Sequence, residues 1–236
     1  MVQKKKWIKF DLHIHTFRSD GLNSTRKMLM TAKKIGLDVV AITDHNVPNK
    51  LTPTEVMEKY GIHLIPGFEL SFMKGHLLIL GINAKVAEKK LKQWKLKPRK
   101  TGVIARKKTI IKILKWFKEN GALIIAAHPI IPTGTMSLKG SFLAKLVKMG
   151  LIQAMETQNA GLEKKFKRRF YWLWRKRVKR SAEKLGIPAV AFSDAHFWWR
   201  LGDRFSMVKL DDPGKLLETL KKGKVKIRHG TKNDLS

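Results

Sequence analysis

The sequence predicts an α/β barrel, in which parallel strands alternate with helices that cover their outer side. Two observations predict this fold class. Helical patterns alternate seven times with short apolar strands, as in chains that form a parallel sheet covered by helices. Nearly every predicted strand also ends in His, Asp or Glu, and a closed barrel directs all its strand ends to one common mouth. An open doubly wound sheet is the alternative.

Hydrophobic periodicity and capping residues place the elements of the first half of the chain. Ser24 is a typical helix N-cap, and Gly36 is a typical residue just after a helix end. Thr52 and Glu55 form a capping-box pattern with Pro53 at the first helical position. We therefore expect strands over 7–15, 37–43, 62–66 and 76–80, and helices over 25–35 and 52–60.

The second half of the chain continues the alternation. Two basic helices are expected between residues 85 and 118, broken near Lys97 and Pro98, and a later short helix is capped by Asp212 and Pro213. The remaining predictions are strands over 122–127, 151–156, 187–192, 206–210 and 224–227, and helices over 103–118, 137–149 and 162–185.

Composition limits the class of protein. A chain of 236 residues can form one domain over 1–236. Its 50 Lys and Arg residues against 18 Asp and Glu give a net charge of +32, which favours polyanions, phosphorylated substrates or anionic lipid surfaces as partners. The absence of cysteine excludes disulfides and thiolate metal sites. Because no apolar run has the length of a signal peptide or membrane span, we expect a soluble, cytoplasmic protein of undetermined oligomeric state.

The stretch from Asp11 to Gly21 concentrates potential metal ligands. Asp11, His13 and His15 alternate at the end of a predicted strand, so their side chains share one face. The two imidazoles then stand roughly 7 Å apart, close enough to bind one metal ion or two neighbouring ions. A strand with two solvent-facing histidines is the alternative interpretation.

Other strand ends repeat this chemistry. Six of the eight histidines and six acids occupy predicted strand ends: His13, His15, His45, His76, His128, His196, Asp11, Asp20, Asp44, Glu69, Glu156 and Asp194. Each residue alone could be an ordinary turn or strand residue. Together, so many ionisable groups would be unfavourable without a cation. Mixed oxygen and nitrogen ligands suit Zn²⁺, Mn²⁺ or Fe²⁺ better than Ca²⁺ or Mg²⁺.

Seven short motifs occur in a fixed order between residues 11 and 202. They are DLHIHTFRSDG, TDHN, GFEL, GHLLILG, AHP, METQN and SDAH, the last followed by LG. This ordered set resembles the PHP (polymerase and histidinol phosphatase) family of metal-dependent phosphoesterases. The resemblance implies a distorted seven-stranded (β/α) barrel, similar to a TIM barrel, with a trinuclear metal site at its mouth.

The resemblance also implies how up to three Mn, Zn or Fe ions would be bound. One ion would take His13, His15, Glu69 and Asp194; a second, bridged by Glu69, would take His76 and His128; the third would take Asp20, His45 and His196. Asp11, Asp44 and Glu156 would orient imidazoles. His63 and His229 match no motif and are expected to be ordinary strand or tail residues.

The implied reaction is hydrolysis of a phosphate ester, in which a metal-activated hydroxide attacks phosphorus in line. Glu69, Asp194 and Asp44 are the candidate catalytic acids. Arg18 and Arg200, or Arg204 in place of Arg200, could bind a terminal phosphate as a fork. In so basic a chain they could equally be solvated surface residues.

The segment over 162–185 carries 11 Lys and Arg residues interleaved with aromatic residues. Cations beside aromatic rings can bind single-stranded nucleic acid. Phe166, Phe170 and Trp174 recur at helical spacing and are expected in the core, whereas Tyr171 and Trp172 are the better candidates for exposure.

Several functions fit these observations. The first is a phosphoesterase acting on a phosphomonoester, nucleotide or oligonucleotide, and a nuclease on longer DNA or RNA is its close alternative. A non-catalytic nucleic-acid-binding barrel subunit is disfavoured by the complete set of ligands. Histidinol phosphatase is less favoured, because nothing singles out a small cationic substrate.

Overall fold

The computed structural model describes residues 5–73, 75–95, 105–131, 137–138, 140–223 and 226–235. The strands are β1 (Lys6–Ile14), β2 (Val39–Ile42), β3 (His63–Leu64), β4 (Gly67–Phe72), β5 (Gly75–Leu80), β6 (Leu123–Ala127), β7 (Ala154–Asn159), β8 (Ala189–Phe192), β9 (Phe205–Leu210) and β10 (Arg228–Gly230). The helices are α1 (Thr25–Lys34), α2 (Pro53–Tyr60), α3 (Ala84–Gln93), α4 (Lys107–Glu119), α5 (Gly140–Lys148), α6 (Ala160–Lys165), α7 (Arg168–Leu185) and α8 (Leu216–Lys222). Within these ranges, no helix has both the length and the apolar character that a membrane crossing requires.

The strands form two five-stranded sheets, in the orders β10-β9-β1-β2-β3 and β4-β5-β6-β7-β8. Two isolated parallel bridges, Ile14 with Ala195 and His45 with Glu69, connect the two sheets at their ends. The predicted α/β class is therefore confirmed. The predicted closed, seven-stranded barrel is not: the described part of the chain contains two mixed sheets and no closed ladder.

Strand direction also differs from the expected parallel arrangement. β1, β2 and β3 are parallel, as are β6, β7 and β8. In contrast, β4, β5 and β6 pair antiparallel, and so do β9 with β1 and β10 with β9. Only residues 73 and 74 separate β4 from β5, whereas a parallel crossover needs a dozen residues or more. The short connection therefore forces a hairpin.

The capping signals predicted for α1 and α2 are confirmed. The Ser24 hydroxyl accepts a hydrogen bond from the Lys27 amide at 3.1 Å and begins α1. Before α2, the Thr52 hydroxyl accepts from the Glu55 amide, and the Glu55 carboxylate accepts from the Thr52 amide at 2.8 Å. These bonds satisfy amide donors that a helix start leaves free.

Several element boundaries differ from the prediction. The strand predicted over 62–66 is only β3, since Pro66 lacks the amide donor that would continue the ladder into β4. The basic helix predicted over 162–185 is divided into α6 and α7, because Phe166 has an extended backbone with φ −108° and ψ 149°. The helix predicted over 137–149 is α5, which starts at Gly140. The predicted break near residues 97 and 98, the start of the helix over 103–118 and residues 224–225 of the last strand lie outside the described residues.

The core lies on both sides of the strands. Inner apolar side chains fill the space between the two sheets, and outer ones pack beneath the helices. In β5, Leu78 and Leu80 belong to the inner cluster, whereas Leu77 and Ile79 pack towards α4 and α5. Every second side chain of a strand therefore faces the space between the sheets. The candidate site lies on this inner side.

The aromatic residues of α7 are placed only partly as expected. Trp174 is buried in the core and Trp172 is exposed, in agreement with the prediction. The expected exposure of Tyr171 is wrong: its ring is buried beside Trp174, at 5.5 Å between centroids, and its hydroxyl accepts a hydrogen bond from the Asn159 amide. This tertiary hydrogen bond has no signal in the helical spacing.

Candidate metal centre

The nine residues proposed as metal ligands come from seven segments of the chain. His13 and His15 lie at the end of β1, and Asp20 lies in the loop that follows it; His45 follows β2, Glu69 lies in β4, His76 lies in β5, His128 follows β6, and Asp194 and His196 follow β8. Neighbouring imidazole rings in this group have centroids 4.4 to 5.7 Å apart. The structure thus brings all nine side chains together.

An irregularity in β1 directs both of its histidines into the site. The register between β1 and β2 shifts between Asp11 and Ile14. Leu12 belongs to the inner core cluster, whereas Ile14 packs in the outer cluster beside α1 and α2. Such a bulge re-aims the side chains that follow it, and here it allows His13 and His15 to face the site after an inward-facing leucine.

Glu69 is the centre of the group and is fully buried. Five imidazoles approach its two carboxylate oxygens. Oε1 lies 3.0 Å from His76 Nδ1 and 3.4 Å from both His13 Nε2 and His128 Nε2, and Oε2 lies 2.9 Å from His45 Nδ1 and 3.4 Å from His15 Nε2. A carboxylate with ligand nitrogens on both oxygens is placed as a bridge between two cations would be.

Two aspartates complete the group on the side away from Glu69. Asp194 Oδ1 lies 3.2 Å from His15 Nε2 and 3.3 Å from His13 Nε2. Asp20 Oδ2 lies 3.2 Å from His196 Nε2, and its Oδ1 lies 3.6 Å from a nitrogen of His15. The ligand atoms form four overlapping groups whose members lie within 4.8 Å of one another. These groups are His15, Asp20, His45 and His196; His13, Glu69 and His128; His13, His15 and Asp194; and His45, Glu69 and His76.

The unused hydrogen-bonding capacity of these residues fits metal ions. Buried polar atoms are normally paired. In the described chain, however, five buried ligand atoms make no hydrogen bond of good geometry, although some lie 2.9 to 3.4 Å from a neighbouring nitrogen or oxygen: Nε2 of His13, His15 and His76, Nδ1 of His128 and Oε2 of Glu69. All of them are nitrogen or oxygen donors of the kind that Zn²⁺, Mn²⁺ and Fe²⁺ accept. The residues present therefore fit the cofactor that the motifs imply.

The electrostatics of the group favour ionised carboxylates. Burial alone would raise the pKa of Glu69, but His45, His76 and His13 hold it well below its usual value. Burial likewise opposes ionisation of Asp194, whose pKa is lowered by His13, His15 and His196. Two anionic groups thus persist in a buried environment because hydrogen-bonding and positively charged imidazoles surround them.

The histidines of the group differ in protonation. Burial lowers the pKa of His15 to about 4, so its imidazole is neutral. For His196, hydrogen bonding to Asp20 and the charge of Asp194 outweigh burial and raise the pKa to about 9. A neutral imidazole is the form that binds a metal ion, and His15 already has it at the middle of the group.

Glu156 and Asn159 support the ligands from behind. Glu156 Oε1 lies 3.4 Å from His13 Nδ1, and its Oε2 accepts a hydrogen bond from the His128 amide at 2.7 Å. The Asn159 amide group donates to both Glu156 and Asp194, at 3.1 and 3.2 Å, while its oxygen accepts from the Leu162 amide. Glu156 contacts the His13 imidazole, as its predicted orienting role requires. Asn159 is the last residue of the METQN motif, but the sequence analysis assigned it no role.

Asp44 and Asp11 were expected to contact imidazoles. Within the described residues, their hydrogen bonds go to backbone amides and hydroxyl groups instead. Asp44 accepts hydrogen bonds from the Thr16 amide and hydroxyl, both at 2.7 Å, and from the Ser19 hydroxyl at 2.8 Å. It therefore holds the loop that carries Asp20, and its oxygens are already engaged. Asp11 accepts from the backbone amides of His13 and Ser193. It connects β1 to the segment after β8 through the backbone, and burial raises its pKa to about 7.

A serine missed by the sequence analysis orients His45. The Ser71 hydroxyl lies 2.7 Å from His45 Nδ1, and the Ser71 amide donates to the side chain of Asn46 at 3.0 Å. Asn46, His128 and Asp194 have positive φ angles of 54°, 30° and 51°. Such backbone strain in non-glycine residues concentrates at functional sites, and the neighbouring hydrogen bonds hold it in place.

A cavity of about 880 Å³ opens onto the group. One part of its wall is basic and contains Lys164, Lys165 and Arg200, and another part is apolar and contains Phe166 and Phe197. Arg200 is anchored by Asp203 at 2.8 Å and by the Ala160 carbonyl.

The other two candidate arginines do not line this cavity. Arg18 is half-buried, and its amide bonds to the Thr16 hydroxyl. Arg204 is held by Glu163, with its two nitrogens 2.7 and 2.9 Å from the two carboxylate oxygens. Of the arginines considered from the sequence, only Arg200 faces the cavity in the described part of the chain.

Sequence comparison relates the chain to known proteins. Residues 11–93 match the PHP domain, and residues 172–225 match a PHP-associated region. An uncharacterized protein of Methanocaldococcus jannaschii is 33% identical over 137 residues, which are 53% of this chain and 70% of that protein.

Two enzymes match over shorter stretches. The phosphoribosyl 1,2-cyclic phosphate 1,2-diphosphodiesterase of Eggerthella lenta is 34% identical over 79 residues, which are 30% of each protein. The 5′-3′ exoribonuclease of Haemophilus influenzae is 38% identical over 64 residues, which are 27% of this chain and 23% of that enzyme. The matches thus span less than a third of either enzyme.

Solved structures share the fold. A two-domain protein from Bacteroides vulgatus, described as containing a predicted PHP-like metal-dependent phosphoesterase, has a TM-score of 0.61 at 17% identity, over 95% of this chain and 65% of that one. PsfC from Pseudomonas syringae also has a TM-score of 0.61, at 14% identity, over 98% and 95% of the two chains. With the motifs, the clustered ligands and the domain matches taken together, the chain belongs to the PHP family.

Proposed function

We propose that the protein is a metal-dependent phosphoesterase that hydrolyses phosphate esters. One observation carries this proposal: Glu69 and eight other imidazole and carboxylate side chains from distant parts of the chain converge, and several of their buried ligand atoms lack a hydrogen-bond partner among the described residues. A purely structural role would not account for unpaired polar atoms in a buried position.

The proposed ligand sets follow the motifs, and the observed groups of ligand atoms support them in part. The third set lies within one group, whereas His76 and His128 of the second set each group with Glu69 but in separate groups. His13, His15, Glu69 and Asp194 would bind one ion, Glu69, His76 and His128 a second, and Asp20, His45 and His196 a third. The interatomic distances add two possible shared ligands. His15 also groups with Asp20, and His45 also groups with Glu69. Mn²⁺, Zn²⁺ and Fe²⁺ are the ions that such donors favour.

When bound, the ions would supply Lewis acidity that offsets the charge of a phosphoryl group under attack. The chain's own residues would position the substrate. Lys164, Lys165 and Arg200 line the cavity, where they can bind phosphate oxygens. Because Asp203 and a carbonyl fix Arg200 on one side, its guanidinium would lose little freedom on binding. Asp44 acts as a positioning residue for the loop that carries Asp20.

The two short enzyme matches indicate the range of substrates to test. One relative is named as a cyclic phosphate diphosphodiesterase and the other as an exoribonuclease. A nuclease is the second candidate function, favoured by the basic wall of the cavity and by the net charge of +32. Histidinol phosphate, a small cationic substrate, fits the basic cavity wall less well.

The test combines turnover with metal analysis. The Mn²⁺-loaded protein would be assayed with an aryl phosphate, 5′- and 3′-phosphorylated nucleotides, histidinol phosphate, and labelled single-stranded DNA and RNA. We expect metal-dependent turnover of at least one substrate, and Glu69→Gln should lose both turnover and bound metal. Glu163→Gln is the matched control, because Glu163 pairs with Arg204 and lies outside the cluster of candidate ligands. This variant should retain turnover and bound metal. Full activity or an unchanged metal content in Glu69→Gln would refute the proposal.

A further inference from the structure

The outer face of α6 and α7 carries a dense run of cations. Residues 164–180 contain ten Lys and Arg residues and no Asp or Glu. Tyr171, Trp174 and Val178 form the buried side of α7 and pack in the core. The exposed side of α7 is therefore mostly basic, and it also carries Trp172, Leu173 and Glu183.

Few acids neutralise this face. In the described ranges, the ion pairs of this segment are Lys164 with Asp203 at 3.8 Å and Lys179 with Glu183 at 3.9 Å. Both lysines are largely exposed, and pairs of this kind contribute little to stability. Uncompensated cations on one surface repel each other, and a polyanion with regularly spaced charges would relieve this repulsion.

An exposed tryptophan lies within this charged face. Trp172 is 54% exposed, and the Lys176 ammonium lies 4.9 Å from its ring centroid. Beside it, a groove of about 540 Å³ runs between α7 and the ends of neighbouring strands. The groove is lined by Arg175 and Lys179 and also by Gln158. An aromatic face flanked by cations is the arrangement on which single-stranded nucleic acids bind, through base stacking and phosphate contacts.

We propose that the exposed face of α7, with Trp172 at its centre, binds single-stranded nucleic acid. An anionic membrane is the less suitable polyanion, because an interfacial helix inserts a continuous apolar side. Most of the apolar side of α7 is buried in the core, and of its large apolar residues Trp172 and Leu173 are exposed. The face also continues into the candidate active site, since Lys164 and Lys165 of α6 line that cavity. To the extent that the bound strand is also the substrate, the inference rests on the proposed function; the binding itself does not.

The experiment measures binding without hydrolysis. Fluorescence anisotropy with a labelled oligonucleotide of about 12 nucleotides, a length typical of single-strand grooves, is recorded in EDTA with the Glu69→Gln protein at several salt concentrations. Because this variant in EDTA is expected not to cleave the oligonucleotide, hydrolysis does not interfere with the binding measurement. We expect salt-sensitive binding, which Trp172→Ala weakens roughly 5- to 150-fold, the range for loss of one stacked base.

Charge variants separate a site from a general charge effect. The double variant Lys176→Ala/Lys179→Ala should lower the slope of log affinity against log salt by roughly 1.4, at about 0.7 for each lost single-strand phosphate contact. The matched control is Lys89→Ala/Lys92→Ala, which removes the same charge from the exposed side of α3 and should leave the slope nearly unchanged. Equal effects of the two double variants, or unchanged binding in Trp172→Ala, would overturn the proposal. Trp172-dependent binding to phosphatidylserine vesicles without oligonucleotide binding would also overturn it.

Discussion

Replacement of Asn159 by alanine tests whether the ligands depend on the residues behind them. Asn159 is fully buried at the end of β7, where its oxygen accepts from the Leu162 amide at 2.8 Å. This bond fixes the orientation of the side chain, so its NH₂ group faces Glu156 and Asp194 and donates to both. Asn159→Ala would leave two carboxylates without the donor that they share.

The magnitude follows from the three lost hydrogen bonds. Loss of the cap of α6 costs about 1 kcal/mol, and a hydrogen bond to a charged group contributes roughly 1.5–3 kcal/mol. Asp194 borders the cavity, where water can replace one donor, so we expect the free energy of unfolding to fall by about 2–4 kcal/mol. Because Glu156 and Asp194 both contact His13, metal affinity should fall by roughly 10- to 100-fold, the usual effect of removing a group that orients a ligand.

The assay pairs urea denaturation of the metal-free protein with titration of Mn²⁺ followed by isothermal calorimetry. Asn83→Ala is the matched control, since Asn83 caps α3 by accepting from the Lys85 and Val86 amides far from the ligands. The control should lose about 1 kcal/mol of stability and no metal affinity. If Asn159→Ala bound Mn²⁺ as tightly as the wild type, the assigned positioning role would be wrong.

Three further changes probe the surroundings of the site. Gly21→Ala should weaken metal binding severalfold in the same titration, because a Cβ atom there would lie 2.6 Å from the His15 carbonyl oxygen and displace the loop that carries one of the aspartates; unchanged affinity would contradict this. Tyr171→Phe should lower the free energy of unfolding by about 1–2 kcal/mol in urea, since it leaves the buried Asn159 amide unpaired, and a wild-type midpoint would refute it. Burial lowers the pKa of His229, so the stability that depends on its neutral form is complete above about pH 6.5 and is lost as the pH falls through its folded-state pKa. His229→Gln should therefore lose less stability than the wild type between about pH 7 and about pH 5, and equal losses would exclude the effect.

The sequence predicted which side chains converge at the site better than it predicted the fold. The His, Asp and Glu residues could be assigned to strand ends because each follows a short apolar run. They converge whenever the strands end near one place, whatever the direction of the strands. The direction of the strands was not visible in the same way. Glu69 and His76 lie in the antiparallel pair of β4 and β5, where Ser71 is opposite His76, and not at the ends of two parallel strands. A hairpin and a crossover can present the same residue types to one site.

The supporting residues were missed for a related reason. The apolar pattern ended the predicted strand at Glu156, but β7 continues to Asn159 after a register shift between Glu156 and Gln158. Such a shift depends on the neighbouring strand, and one sequence does not show it. Ser71 is similar, because a serine in an apolar strand has no distinctive pattern until His45 is placed beside it.

The surroundings of Glu69 and those of Asp194 are held by different interactions. This difference explains why the first could be predicted from the sequence and the second could not. Around Glu69, five imidazoles approach one carboxylate, and histidines and acids at strand ends can be recognised in the sequence. Around Asp194, a neutral amide separates two carboxylates that would otherwise repel each other. The residue type of Asn159 does not by itself indicate this role. Without its side chain, Glu156 and Asp194 would lose the geometry in which both contact His13. Reading such a site from sequence therefore requires asking which neutral donors stand between like charges, as well as where the charges are.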